Sequence, residues 1–355
     1  MTDIAFGVLG LGMGKAHCKA VQAARGARLA AICDCDPDRL APCTDEFGVK
    51  AYASYDEMLA DPEIQGICVA TPSGMHVEHA LQAVAAGKHV LVEKPVDVKA
   101  ERIATLAKSA REAGVTATAV FQSRTDPLHK RMRTLVESGR LGNIIGVHAA
   151  LPWFRKSSYY EGPHGSWKGT WEMDGGGSLM NQGIHTVDLL QWLVGPVASV
   201  FGKFGVYDHD IETEDKTVAL LTFANGALGT LHTTTCAFGG VLNRSILIHG
   251  QKGTIHCADG LRAWKLMDDE DGSEEREMLA FYAPPDQRPE GETVATDPMA
   301  VGSTGHRAHI EDLVDAIHMG RDPAITIESA QHAVEIANAI YESGRTGREV
   351  TIDRA

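Results

Sequence analysis

The feature that most constrains this chain is the way its first apolar run ends. Ile4 to Leu9 is continuously apolar and stops at Gly10-Leu11-Gly12-Met13-Gly14, after which Ala16 to Ala24 takes up helical spacing. A buried strand that breaks on glycines and resumes at once as a helix leaves backbone N–H groups and the positive end of a helix dipole at the turn, a cradle for a pyrophosphate. The spacing departs from G-x-G-x-x-G, because the third glycine comes one residue early and close helix packing falls to Gly14 or Ala16. The second apolar run, Leu29 to Cys33, ends at Asp34, 24 residues after Gly10. An acid there accepts hydrogen bonds from the ribose hydroxyls of an adenosine. Gly10, Gly12, Met13, Gly14 and Asp34 therefore predict dinucleotide binding. The Asp34 carboxylate repels a 2′-phosphate, and Cys35 rather than an arginine follows it, so NAD is favoured over NADP. The competing role for Asp34, capping the helix that opens near Pro37, suits Asp36 better.

The same alternation continues through Gly66 to Ala70, a helix from about His76 to Ala86, His89 to Val92, a helix from about Ala100 to Ala113, and Thr116 to Val120. Continuous apolar strands joined by amphipathic helices predict a parallel, doubly wound sheet covered on both faces. Ser54 and Glu57 have the spacing of a capping box, and Gly87 and Gly114 stand where helix C-caps belong. After a helix around Asp126 to Ser138 the period changes. Thr217 to Phe223, Asn225-Gly226 and Ala227 to Thr235 form one hairpin signal, and Ser245 to His249 with Thr254 to Cys257 form another. The expected domains are thus 1–123, a dinucleotide-binding domain, and 124–355, an α/β domain built on a large, mostly antiparallel, open-faced sheet. The acidic stretch from about Asp268 to Glu277 lacks EF-hand spacing and is expected to be a solvated loop. Helices at roughly His309 to His318 and Ser329 to Ser343 close the chain.

Composition narrows the partners. A formal charge of −14 over 355 residues repels nucleic acid and anionic lipid, so a small neutral ligand fits better. No apolar run approaches the roughly 18 residues of a membrane helix, and Met1-Thr2-Asp3 offers no basic region before a signal, which gives a cytoplasmic expectation. The seven cysteines contain no C-x-x-C and read as small buried apolar residues in a reducing compartment. Cys33 and Cys35 lack partners for zinc. The pairs His76/His79 and His306/His309 lack a third ligand, so both are expected on solvated helix faces and no metal is expected.

Thr71-Pro72 with His76, Gly87-Lys88-His89-Val90 and Glu93-Lys94-Pro95, followed by Asp174-Gly175-Gly176-Gly177-Ser178-Leu179-Met180-Asn181-Gln182-Gly183-Ile184-His185-Thr186-Val187-Asp188, resemble the glucose-fructose oxidoreductase/inositol dehydrogenase (Gfo/Idh/MocA) family over essentially the whole chain. The resemblance implies a Rossmann domain followed by an α/β domain whose open sheet forms a subunit interface, hence a homodimer or homotetramer. It implies that Lys94 is the active-site lysine and His185 the catalytic histidine; the helix pattern agrees, because Asn181 at i−4 and Asp188 at i+3 of His185 lie on neighbouring parts of the same face. Asn181 stands where several members carry an aspartate; an amide orients a ring but does not stabilise imidazolium by charge, which passes that question to Asp188. The physical reading of Lys94 agrees, because it follows a buried parallel strand at the carboxyl edge where open α/β sheets bind ligands.

Further expectations follow from position and resemblance. Glu93 holds the lysine or meets the nicotinamide ribose. Thr71 and His76 reach the dinucleotide or cap the next helix. Gln122 and Arg124 face the crevice, and Trp167-Lys168 replaces a Trp-Arg pair that contacts cofactor in some members, a point charge in place of a fork. His306 reaches substrate, and Trp153, Phe154, Tyr159 and Tyr160 line a sugar-stacking wall or simply pack. The expected activity is NAD-dependent oxidation of a ring secondary hydroxyl of a sugar, sugar derivative or cyclitol. The alternatives are an NADPH-dependent ketosugar reductase and a non-catalytic sugar- or NAD-responsive regulator of the same fold.

Overall fold

A computed structural model describes residues 2–162, 165–239, 244–283 and 304–353. The first sheet is formed by β1 (Ile4–Leu9), β2 (Ala27–Cys33), β3 (Lys50–Tyr52), β4 (Gly66–Val69), β5 (His89–Val92) and β6 (Ala117–Ala119). They are ordered β3-β2-β1-β4-β5-β6 and pair in parallel throughout. The order reverses beside β1, which puts the topological switch point, and with it the ligand crevice, at the carboxyl ends of β1 and β4. Helices α1 (Gly14–Ala23), α2 (Pro37–Phe47), α3 (Tyr55–Ala60), α4 (His76–Ala85) and α5 (Ala100–Ala113) connect the strands. Continuous burial of β1 and β4 is what a sheet with both faces covered requires. Asp36 caps α2 by accepting the Asp38 amide, as expected. Ser54 precedes α3 without a side-chain cap, so the expected capping box does not form.

In the rest of the chain lie α6 (Pro127–Glu137), β7 (Ile144–Pro152), α7 (Ile184–Val194), β8 (Val197–Gly205), β9 (Lys216–Phe223), β10 (Leu228–Thr234), β11 (Ser245–Gly250), β12 (Gly253–Ala258), β13 (Leu261–Leu266), α8 (Ser273–Tyr282), α9 (Thr304–Met319), α10 (Ile327–Thr346) and β14 (Val350–Thr351). The second sheet runs β13-β12-β11-β7-β10-β9-β8-β14. Both expected hairpins form, and β7 with β10 is a parallel pair inside the otherwise antiparallel array. In β9, Thr217, Ala219, Leu221 and Phe223 are buried while Val218 and Leu220 on the opposite face are exposed, so a period-2 strand is apolar on both sides. The acidic stretch is not a loop throughout. From Ser273 it is α8, whose Glu274 and Glu275 amides donate to the Asp269 carboxylate.

The compact units interleave along the chain. One comprises 1–125, 172–175 and 297–334, and the other 126–171, 176–296 and 335–355. The segment containing α9 thus packs with the first sheet, where Ile310, Leu313 and Val314 join the core around α1 and β1. Among the described residues no helix is long and apolar enough to cross a membrane.

Candidate active site

The glycine loop is built as the sequence requires. Gly10 has φ +84°, and a side chain there would meet Ala70 O at 2.7 Å, so only glycine fits. A Cβ at Gly14 would meet Val8 Cγ1 at 3.0 Å, the expected close helix packing, whereas one at Gly12 would find nothing within 4 Å. Open space at Gly12 beside the N-terminus of α1, which carries no side-chain cap at Met13, fits a phosphate approaching the backbone. Asp34 closes the loop: the Leu11 amide donates to its Oδ2 at 2.7 Å and the Asp36 amide to its Oδ1 at 2.9 Å. Arg39, in α2, brings a guanidinium nitrogen to 3.9 Å from Asp34 Oδ2. That arginine lies five residues beyond Asp34 and escapes a search of the next position alone. Burial pushes the neighbouring Cys33 thiol up to about 12, so it is an inert packing group.

The segments after β4 and β5 are clamped by His76, whose Nδ1 faces Pro95 O and whose Nε2 faces Thr71 O, each at 2.7 Å. Thr71 Oγ1 is 3.0 Å from His79 Nδ1. His76, His306 and His309 are buried, and His79 is partly buried, which corrects the expectation of solvated faces. Burial lowers the pKa of both His76 and His79. For His309 it goes down to about 4; its Nδ1 donates to Gly305 O and its Nε2 accepts the Phe121 amide. The sequence misses this because α9 packs against α1, a contact at long range that no local period encodes.

Lys94, half-buried, follows Glu93 at the carboxyl end of β5, joined to Pro95 by a cis peptide bond. Glu93 is buried; the Lys94 amide donates to its Oε2 at 3.0 Å, while Oε1 lies 2.7 Å from His17 Nε2 and 3.2 Å from His306 Nε2. Burial works to raise the Glu93 pKa, but the hydrogen bonds from His17 and His306 outweigh it and hold the carboxyl well below its usual range. Gln122 places its amide 2.8 Å from His306 Nε2. Arg124 lies over the Phe121 ring and donates to Ser329 Oγ and O. The first unit therefore joins the Lys94 amide, His306 and His17 through the Glu93 carboxylate, with Gln122 on His306; His17 is a residue the sequence had not singled out.

In the second unit Ser178–Gly183 is a π-helical turn, not the opening of a regular helix, and α7 begins at Ile184. The expected i−4 relation between Asn181 and His185 is therefore replaced by a wider turn, a feature frequent at functional sites. What holds that turn is Glu214, fully buried on the approach to β9. Its Oε1 accepts from the Gly177 and Leu179 amides and from Tyr341 O–H, and its Oε2 accepts from Ser178 Oγ at 2.6 Å. His185 is half-buried; Asp188 is buried and accepts from Gln191. Gln182 donates to Tyr159 O–H, and Lys168 Nζ stands 3.7 Å over the Tyr159 ring. Tyr160 is buried, Arg155 lies over the Trp153 and Tyr159 rings, and Phe154 packs edge-on against Phe238.

Residues 4–121 match the oxidoreductase family with an NAD-binding Rossmann fold, and residues 129–256 match the GFO/IDH/MocA C-terminal domain. The WlbA dehydrogenase of Bordetella pertussis, solved with NADH and UDP-GlcNAcA, is 31% identical with a TM-score of 0.88, covering 100% of this chain and 99% of that one. The chain belongs to the Gfo/Idh/MocA oxidoreductase family. An uncharacterized oxidoreductase of Synechocystis sp. is 31% identical over 218 residues, a match spanning 58% of this chain and 57% of that protein. A D-xylose 1-dehydrogenase (NADP(+)) of Haloferax volcanii is 28% identical over 98% of this chain and 99% of its own length. Membership makes this Gfo/Idh/MocA chain an NAD-binding oxidoreductase in the broad sense, with Rossmann domain and mostly antiparallel sheet as expected.

Proposed function

We propose that this chain is an NAD-dependent dehydrogenase of a ring secondary hydroxyl in a sugar, sugar derivative or cyclitol. Gly10, Gly12, Met13, Gly14 and Asp34 hold the dinucleotide, aided by Thr71, His76, Gln122, Trp167 and Lys168. Bound nicotinamide supplies the redox step by accepting hydride from the carbinol carbon. His185 takes the hydroxyl proton through its imidazole, oriented by Asn181 and Asp188. Lys94 donates to the same oxygen and stabilises the charge that develops there. Gln122, Arg124 and His306 complete the substrate side. The observation that carries the reading is the care with which each acid–base group is seated. Lys94 is tied through its amide to a buried carboxylate, and His185 follows a turn pinned by another.

NAD is the preferred cofactor, since the Asp34 carboxylate, fixed by one backbone donor on each oxygen, keeps further lone pairs for ribose hydroxyls and repels a 2′-phosphate. Arg39 favours a second reading, use of NADP, because it places a cation beside the position a 2′-phosphate takes. The open sheet face carries Phe201, Val218, Leu220 and Leu228, all exposed, with Phe201 directly opposite Leu220. An apolar face of this kind is expected to be covered by a second copy, giving a homodimer or homotetramer. The test is a panel of inositols, aldoses and uronic acids assayed at 340 nm with NAD+ and with NADP+ in parallel. NAD+ reduction by at least one member supports the proposal. Binding of NAD without turnover on any member, or reduction of NADP+ alone, overturns it in favour of a sensor or an NADP enzyme respectively.

A further inference from the structure

We propose that His17 and His306 are positioning residues that hold the Glu93 carboxylate so that it fixes the main chain of Lys94 relative to the dinucleotide helix α1. The inference rests on the function proposed above, because it assigns these histidines to the seating of that lysine. Glu93 stands at the centre of three elements: His17 comes from α1, Glu93 from the end of β5 and His306 from the first turn of α9. Side-chain exposures are 0% for His17, 6% for Glu93 and 1% for His306, and the two imidazole rings meet edge to face with centroids 4.6 Å apart.

The protonation state follows from what surrounds each ring. His17 Nε2 and His306 Nε2 both point at Glu93 Oε1, while both Nδ1 atoms are buried without a hydrogen-bond partner among the described residues. An imidazolium carries N–H on both nitrogens, and the second would then be a buried donor with no acceptor, a costly arrangement. The geometry therefore selects a neutral His17 with the proton on Nε2 and leaves Glu93 as the charged member; the same tautomer at His306 requires the Gln122 amide, 2.8 Å from its Nε2, to present its oxygen. Burial lowers the His17 pKa in the same sense. The three groups offer atoms within 4.8 Å of one another, the spacing of a metal site. Metal on the Nε2 atoms would, however, put an unpaired N–H on each buried Nδ1, where ligating histidines ordinarily have an acceptor. Hydrogen bonding is thus the better use of the cluster.

The consequence for Lys94 is mechanical. Glu93 Oε1 is taken by the imidazoles and Oε2 by the Lys94 amide, so the carboxylate cannot rotate without releasing both. Because His17 lies on the helix that opens at the glycine loop, displacement of α1 is transmitted to the residue that bears the amine. The other titratable groups facing Glu93 are Cys68 on β4, His76 on α4 and His309 on α9; burial raises the first and lowers the other two.

The experiment compares His17→Ala, His17→Gln, His306→Gln and, as reference, Lys94→Ala, using turnover, sugar KM, NAD affinity and imidazole ¹⁵N spectra. His17→Ala is expected to lose about 10- to 100-fold in kcat, the scale of a misplacement near 1 Å, with sugar KM little changed. Its acid limb of kcat is expected at higher pH because Glu93 has lost a donor. His17→Gln, which restores an N–H donor, recovers part of the loss. The spectra of the wild-type protein are expected to show both rings neutral with the proton on Nε2 near neutral pH. If Lys94→Ala is inactive while His17→Ala and His306→Gln keep wild-type kcat and pH profile, the positioning role is wrong. A charged ring at neutral pH, or one equivalent of bound metal, likewise overturns it. Absence of sugar turnover in the wild type instead removes the proposed function, and the spectra still decide the tautomers.

Discussion

Asp34 and Leu11 are joined across the glycine loop: the Leu11 amide donates to Asp34 Oδ2 at 2.7 Å. The acid read as a ribose acceptor is therefore also the residue that shapes the loop carrying the phosphates. Replacing it acts on both.

For Asp34→Ala, NAD+ affinity is expected to fall at least about tenfold, since charge-assisted hydrogen bonds contribute about 1.5–3 kcal/mol and 1.4 kcal/mol is a factor of ten. NADP+ affinity falls less, because the repelling carboxylate is gone and Arg39 remains. Isothermal titration with both cofactors measures the ratio; an unchanged ratio contradicts the role given to Asp34.

The glycines separate stability from binding. Gly10→Ala forces φ +84° on a residue with a Cβ that would lie 2.7 Å from Ala70 O, and is expected to cost about 1–3 kcal/mol or more. Gly12→Ala meets nothing within 4 Å, so its melting temperature is expected to stay at the wild-type value while NAD affinity drops. Equal melting temperatures for the two variants would count against this assignment.

Glu214 is expected to matter as much to His185 as to the fold. Glu214→Ala leaves the Gly177 and Leu179 amides and the Ser178 and Tyr341 hydroxyls without their shared acceptor. Unsatisfied buried donors cost about 1–3 kcal/mol each before relaxation and hydration. A drop of several degrees in Tm is expected, while the milder Tyr341→Phe retains the fold with reduced kcat. Wild-type thermal stability in Glu214→Ala contradicts the anchoring role.

Asp97, buried before α5, gives a pH dependence with a definite sign. Burial pushes its carboxyl up to about 6, against about 3.9 in an unfolded chain. Between about pH 4 and 6 the native state retains a proton that the unfolded state has lost, so stability falls as pH rises through that window. At 1.36 kcal/mol per unit the effect is at most about 3 kcal/mol. Asp97→Asn retains an oxygen for the Lys99 amide and is expected to flatten the slope in urea titrations. A slope identical to wild type contradicts it.

Five of the six strands of the first sheet were legible because they are short apolar runs, and Ile4–Leu9 and His89–Val92 fall where expected; β3, Lys50–Tyr52, was missed because it is short, exposed and polar at its start. In the second half β7 and β8 give no turn signal of their own, and β7 pairs in parallel with β10 across a long stretch of chain, a partnership that local spacing does not announce. Glu93 and Lys94 were visible as a motif, but the burial of His17 and His306 around Glu93 depends on α9 returning to the first sheet from near the far end of the chain. The π-helical turn before His185 was likewise hidden, since Ser178 to Gly183 has helical composition and its widening is set by Glu214, more than thirty residues away.

The most direct measurement is steady-state NAD+ reduction by the active sugar in wild type, Lys94→Ala and His185→Ala, with NAD affinity determined in parallel. Each variant is expected to lose about 10²- to 10⁴-fold in turnover, the range of a single acid–base group, while binding NAD nearly as well as wild type. Near-wild-type turnover in either folded variant would contradict the chemistry assigned to this chain.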